Sequence, residues 1–580
     1  MSPSRRFSCT CALLVSLLLL SDRFCSIDAK KTSSNICREE SLDAHDPIAT
    51  TDIIVIGSGP GGTGFLHRFS REMPDMTVLW IEKGLDFLAT DWPQNIADVD
   101  ERVLTPVPRA NKRMIAYAWN NFGGGDAGNS GGPNYNGMGQ APYEPVDVVS
   151  LRNNSLIPLT PTSERWTRAF QEAGFEDKGA IYSRRADSKL VGQLSSLRRE
   201  DGRQRLLLAN DLRYSEDNNI NYVHARVTSI IHEQVVDENG HASLRATGVR
   251  GVRVAADNQG EYGGCVTWRA NKAVVLAGGI FNSFDLLVES GLGPEEALDV
   301  RNVPENWRHP NEEVGKGVGD EFTSIYVSVE PEKQDQFGAE PRLVAETPVG
   351  FGAYEMFGHG IYTWLRVSNT FYNRLFGRFL PRRLPLISKV IKKIFGRMSF
   401  ISVSIFHEPS MVLIATPKPR NVTSSTHNPL GVTLDDSMIQ MTEHMCTQLT
   451  ANLEPFKKGA KLQKDAKNEF SFARLLLAVG SRLGITRLLS PNPITAQNVK
   501  TFTGRGKNKG KKCSMNQIAS YYHFYGGNAK ATNDKYILTG TQNLFISDAS
   551  IIDLLLPGAP SPVVMEHGMK VADALIYTLG

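Results

Sequence analysis

A glycine run with a carboxylate at a set distance beyond it is the first feature of this chain that could do chemistry. Gly57-Ser58-Gly59-Pro60-Gly61-Gly62 is followed, twenty residues after Gly62, by Glu82. Gly57 lets the chain turn tightly, Gly59 lets backbone approach a pyrophosphate, and Gly62 lets a helix pack closely on a strand. A carboxylate at Glu82 can accept from both ribose hydroxyls of an adenosine, and its charge would repel a 2′-phosphate. Positioning these groups takes a strand, a helix and a second strand, and the flanking sequence supplies them. An apolar run, Ile53 to Ile56, enters the turn; a segment with helical spacing follows; a second apolar run, Val78 to Ile81, delivers Glu82. Strand, turn, helix, parallel strand and acid fall within the roughly thirty residues that a βαβ unit needs. The helix would face the phosphates with free N–H groups and the positive end of its dipole. The plainer alternative is a glycine-rich turn in an unrelated α/β protein.

The same pattern is partly echoed downstream. Lys272 to Pro294, KAVVLAGGIFNSFDLLVESGLGP, reads as a buried strand, a turn at Gly278-Gly279, a helix and a glycine stop. It is either a second phosphate-facing or adenine-facing turn or an ordinary strand–helix joint. Ile220 to Ile231 and Gly248 to Val254 read as further strands. In Phe122 to Asn136, six residues of fifteen are glycine, which suits backbone running against a ligand or a flexible surface loop equally well.

Length and charge narrow the class. A chain of 580 residues can bury a large core and should hold more than one domain. With 64 basic against 61 acidic residues it lacks the basic excess of a nucleic-acid binder, so no nucleic-acid partner is expected. Residues 1–29, with Arg5 and Arg6 before the apolar run Ala12 to Leu20, read as a cleaved signal peptide, the alternative being an uncleaved anchor. Residues 30–50 read as a polar linker. No other stretch of the sequence is long and apolar enough to cross a membrane. Cys37, Cys265, Cys446 and Cys513, outside the leader, contain no CxxC, so a metal site is not expected; in an oxidising compartment they could form up to two disulfides in three connectivities. Asn153 and Asn421 are glycosylation acceptors in a protein expected to be secreted or lumenal.

Taken in order, the glycine turn, Gly131-Gly132 with Asn136, the segment AGGIFNSFDLLVESGLGP, Asn311 to Asp320 (NEEVGKGVGD) and the carboxy-terminal FISDASI resemble the glucose-methanol-choline oxidoreductase family, FAD enzymes that oxidise alcohols. The resemblance covers roughly half of the chain and leaves the region from about Ile325 to Cys513 unmatched. It implies an α/β fold: a Rossmann-type FAD-binding domain assembled from discontinuous segments, 51–320 and 514–580, plus a substrate-binding domain, 321–513, built on an antiparallel sheet. It also implies FAD held by Gly57, Gly59, Gly62, Glu82, Gly131, Asn136, Val227, Gly278 and Asp548. Tyr135 stands where some relatives attach the flavin covalently to a histidine, so non-covalent FAD is expected.

Alcohol oxidation by a flavin needs a base for the hydroxyl proton while hydride leaves carbon. The family's histidine matches His523, in Tyr521-Tyr522-His523-Phe524-Tyr525-Gly526-Gly527, where rings could exclude water and glycines could let backbone pass close to the flavin. The alternative is a packed histidine stacked among tyrosines. The family's partner, usually an asparagine or a second histidine, is replaced by Ser561, which can orient a hydroxyl but carries no charge. The implied reaction joins a small-molecule alcohol to oxygen or another electron acceptor. Some relatives keep the flavin but cleave cyanohydrins without net redox change, so a lyase is a second reading, and Ser561 keeps open a third, a flavoprotein without turnover. In the unmatched region, Phe371 to Phe400 holds eight Arg or Lys and no acid among bulky apolar residues. Such a stretch can lie on an anionic membrane surface; the preferred reading is a covering helix packed by its apolar side. Thr501 to Lys512, TFTGRGKNKGKK, reads as a mobile loop.

Overall fold

The computed structural model describes residues 49–84, 104–110, 116–119, 161–181, 190–194, 208–214, 219–236, 240, 242–255, 261–329, 343–346, 352–357, 379–395, 398–405, 407–418, 430–440, 442–451, 458, 494–495, 518–520, 522–553 and 560–580. Gly131, Tyr135 and Asn136, the leader, the linker to residue 48, both glycosylation acceptors and the 501–512 run lie outside them.

β1 (Ala49–Ile56) is wholly apolar over Ile53 to Ile56 because it is a central strand, covered on both faces. The glycine turn follows, then α1 (Pro60–Glu72), then β2 (Val78–Glu82), parallel to β1 with Ile53 opposite Val78. Proline at the first helical position costs no hydrogen bond there. Phe65, Leu66 and Phe69 are the buried face of α1, with Phe65 and Phe69 stacked at 5.3 Å between ring centroids. Three long strands come next, β3 (Ile220–Val236), β4 (Ala242–Val254) and β5 (Glu261–Leu276). Their length lets each serve two partners: β3 runs parallel to β2 over Ile220 to His224, then turns to pair antiparallel with β4. β5 pairs antiparallel with β4 and then parallel with β1, before α2 (Ile280–Glu289).

The chain then leaves this sheet. β6 (Lys316–Gly319) joins a four-stranded antiparallel sheet, and β7 (Phe322–Val329) joins an eight-stranded sheet that is mostly antiparallel with two parallel pairings. α3 (Pro385–Phe395) leads into β8 (Met398–Ile405), antiparallel to β7. β9 (Met411–Ala415) and β10 (Val432–Asp435) extend the four-stranded sheet on one side of β6, and β11 (Tyr525–Gly527) pairs with β6 on the other. The short strands Glu176–Ile181 and Leu190–Leu194, early in the chain, belong to the eight-stranded sheet rather than to the first. β12 (Leu544–Ile546) brings the chain back as a sixth strand, parallel to β5, and α4 (Ser561–Leu579) closes onto α1. That last contact is backbone on backbone: a Cβ at Gly568 would lie 2.1 Å from the Gly61 carbonyl oxygen. Cys265, on β5, is disulfide-bonded.

His67, on the buried side of α1, is held neutral. Burial, then Arg71 and Arg68, lowers its pKa from 6.5 to about 4. Because the folded value lies below the unfolded one, the stability this neutral ring contributes is present above pH 6.5 and lost as pH falls towards 4. At 1.36 kcal/mol per unit the window spans about 3 kcal/mol. His67→Gln should therefore flatten the stability profile between pH 6.5 and pH 4 in denaturant titrations; an unchanged acid slope would rule out His67 as its source.

Candidate functional site

Of the residues expected at the cofactor end, Gly57, Gly59, Gly62, Glu82, Gly278 and Asp548 come from four described segments. Gly57 has φ +107°, a conformation that side chains disfavour, and a Cβ there would lie 2.2 Å from the Ala277 carbonyl oxygen just past the end of β5. The two glycine turns therefore touch, and Ala277 N–H donates to Ile56 O, one residue before Gly57, at 2.8 Å. Gly62 packs against the turn itself, its missing Cβ 2.4 Å from Gly57 O. Around Gly59 nothing lies within 4 Å of where a Cβ would stand, and α1 starts there without a side-chain cap. Open space and unclaimed first-turn N–H groups are what a phosphate group needs.

Glu82 is already well used. Its Oε2 accepts from Ser58 N–H at 2.8 Å and from the Ser58 hydroxyl at 2.7 Å, and its Oε1 accepts from Gly84 N–H at 2.5 Å. A carboxylate offers about four acceptor positions, so a ribose would find roughly one left unless Ser58 rotates away. Next to it Lys83, missed in the sequence, donates to Asn282 Oδ1 at 2.7 Å in the first turn of α2, and burial lowers its pKa to about 8. Val227 lies on β3 opposite Gly251, half-buried against the core. Asp548 follows β12 and is buried. Its carboxylate accepts from Gly279 N–H at 2.9 Å, the Ser283 hydroxyl at 2.5 Å and Ser550 N–H at 2.8 Å, tying the DASI segment to the second glycine turn at Gly278-Gly279. Burial raises its pKa against these donors.

His523 is reached along a different route. β6 and β11 pair antiparallel with Gly319 opposite Tyr525. Continuing that register by two residues sets Glu321 opposite His523, and their side chains meet: His523 Nδ1 to Glu321 Oε2 is 2.5 Å, with both residues buried. An ionised carboxylate only accepts, so with Glu321 ionised Nδ1 is the donor in this contact. Glu321 Oε1 is buried with no hydrogen-bond partner among the described residues.

Behind the pair lies a second buried set. Arg109 donates to Asp436 Oδ2 at 2.8 Å and to Asp320 Oδ2 at 3.1 Å, all three side chains 0% exposed. Ser520 also donates to Asp320, at 2.7 Å, and the guanidinium lies over the rings of Phe322 and Phe524. One cation faces two carboxylates, and burial raises Asp320 from 3.8 to about 6 despite Arg109. The Tyr525 hydroxyl is pushed above the usual tyrosine range by burial and then by Asp320 and Glu321. Arg109, Asp320, Glu321 and Asp436 escaped the sequence reading. A usable signal was present, since Asp320-Glu321 puts two acids at the mouth of the apolar run FTSIYVSV. Ser561 is buried in the first turn of α4.

No family model and no curated protein matches the sequence. Solved structures do match in shape. A formate oxidase aligns over 92% of this chain and 99% of its own, with TM-score 0.58 and 14% identity. An FAD-dependent oxidoreductase from Chaetomium thermophilum aligns over 91% and 99%, with TM-score 0.52 and 16% identity. A fungal aryl-alcohol oxidase aligns over 91% and 99%, with TM-score 0.50 and 14% identity. Nearly the whole of each chain is matched, so the chain has the fold of the FAD-dependent oxidoreductases of glucose-methanol-choline type.

Proposed function

We propose that this protein is an FAD-dependent oxidoreductase that converts a CH–OH group to a carbonyl, with His523 as the base. The observation that carries this reading is the buried Glu321–His523 pair, in which an ionised Glu321 would hold the proton on Nδ1 and Nε2 would act as the base. FAD, when bound, supplies the hydride acceptor. The parallel strands with their glycine turn are read as the Rossmann-type part that holds it. Gly59 and the start of α1 would bind its pyrophosphate, Glu82 one ribose hydroxyl, and the backbone at Gly278-Gly279 and after Asp548 would be held in place by the Asp548 carboxylate. Gly131, Asn136 and Val227 are included by resemblance. Ser561 would orient the substrate hydroxyl. The electron acceptor is oxygen or another oxidant, and the substrate a small-molecule alcohol. A disulfide at Cys265 supports a secretory compartment.

Purified protein should carry about one FAD per chain, and acid or heat should release it because Tyr135 offers no attachment histidine. Flavin that stays on the denatured chain would overturn the non-covalent reading. Anaerobic bleaching of the bound flavin by an alcohol, screened across aliphatic, aromatic, sugar and amino alcohols, tests the reaction itself; no bleaching by any of them would favour a lyase or a protein without turnover.

A further inference from the structure

The basic stretch before β8 is not absorbed by the oxidoreductase reading. Part of it is the helix α3, PLISKVIKKIF, and among its described side chains, residues 385–392, one apolar row is covered and the neighbouring one is not. Ile387 and Ile391, one turn apart, are half-buried, whereas Leu386 and Val390, the neighbouring row, are 77% and 50% exposed. The expected covering helix thus holds for one row and fails for the other. Phe379, just ahead of α3, is 39% exposed, and Arg382, Arg383, Lys389 and Lys392 are exposed around these apolar side chains. Within 371–400 no acidic residue neutralises them.

Exposed aliphatic side chains beside cations that have no acidic partner among the described residues are mismatched to water alone. An acidic protein or a nucleic acid would satisfy the charges and leave Leu386, Val390 and Phe379 wet. A bilayer with anionic headgroups offers both phases at once, acyl chains a few ångströms beneath a negative surface. We propose that α3 and the turn before it dock the protein peripherally on anionic membranes. Among the described residues no helix is long and apolar enough to cross a membrane, so the contact lies in the interface plane.

The surface stands apart from the candidate site. β8 is eight residues long, about 25 Å at roughly 3.3 Å per residue. Its first residue, Met398, follows α3 closely, and its last, Ile405, pairs with Phe322 beside Glu321. Docking and chemistry can therefore be altered independently.

The test is flotation of the purified full-length protein with vesicles of neutral phosphatidylcholine alone or with about a third phosphatidylserine, at low and high salt. Binding should require the anionic lipid and fall steeply with salt, since charges are screened within about 8 Å at physiological ionic strength. Each Lys or Arg near such a surface multiplies partitioning about five-fold. Replacing Arg382, Arg383, Lys389 and Lys392 by Gln should thus weaken it by about 10²–10³. Leu386→Ser with Val390→Ser should weaken it about ten-fold or more while leaving its salt dependence. Flavin content and thermal unfolding of both variants should match the parent. No binding to phosphatidylserine vesicles at low salt, equal binding to neutral vesicles, or variants that bind as the parent does would each overturn the proposal. So would a sedimenting dimer that Leu386→Ser dissolves in the absence of lipid, which would assign the face to a second copy, or salt-sensitive binding to duplex DNA without binding to vesicles.

Discussion

His523→Ala should retain FAD and reduce it with substrate about 10²–10⁴-fold more slowly than the parent, a loss of about 3 to 5 kcal/mol in barrier. The size follows from what the ring would do. A hydroxyl proton must leave as hydride leaves carbon, and without a base it would have to pass to water beside the buried rings of Phe524 and Tyr525. Glu321→Gln separates proton transfer from orientation. A glutamine keeps the size of the side chain but can present either its oxygen or its amide nitrogen to Nδ1, so the tautomer fixed by Glu321 is no longer unique. Its rate should fall between parent and His523→Ala, chiefly in kcat, and ¹⁵N spectra of the imidazole should show the mixed tautomers even before flavin is added. Ser561→Ala should cost less than His523→Ala, since a serine can orient the hydroxyl but not take its charge. Wild-type flavin reduction in His523→Ala would put the mechanism wrong at its centre.

Arg109→Ala should cost about 3–5 kcal/mol of folding stability at pH 7 to 8, because it strands two buried carboxylates, Asp320 and Asp436, without their shared cation. The sign of the pH dependence is fixed by Asp320. Its folded pKa, about 6, lies above the unfolded 3.8, so the stability it contributes is complete below pH 3.8 and lost as pH rises through 6. Without Arg109 that loss deepens, so the penalty of the variant should be largest above pH 6 and shrink towards pH 4, where Asp320 is protonated. Adding Asp320→Asn to Arg109→Ala should recover part of the loss at neutral pH. Denaturant titrations at pH 4.5 and pH 8 decide the matter: an equal penalty at both would mean that Arg109 contributes packing over Phe322 and Phe524 rather than charge.

The local structure around the first glycine turn was legible in the sequence. Strand, turn, helix and strand from Ile53 to Glu82 are adjacent in the chain, and glycine spacing, apolar runs and a helix start are all short-range signals. The second turn at Gly278-Gly279 was legible for the same reason. What Glu82 and Asp548 do there was not. That Glu82 is largely occupied by Ser58 and Gly84, and that Asp548 ties Gly279 and Ser283 to the last strand, depends on side-chain geometry that residue type does not encode. His523 could be singled out by its type and its aromatic setting, but its partner could not. Glu321 lies 202 residues away, and only the antiparallel register of β6 on β11 sets the two opposite each other. Arg109 was beyond reach by the same logic: Asp320 and Asp436, each just past the end of a different strand, become its partners only in the folded chain. The basic stretch before β8 announced its charge in the sequence, yet which apolar residues stay in water depended on the side that α3 turns to the protein. Sequence by itself determined the elements and the residue types at the site; the pairings across hundreds of residues, where burial makes a charge costly unless a partner meets it, were decided by the tertiary structure.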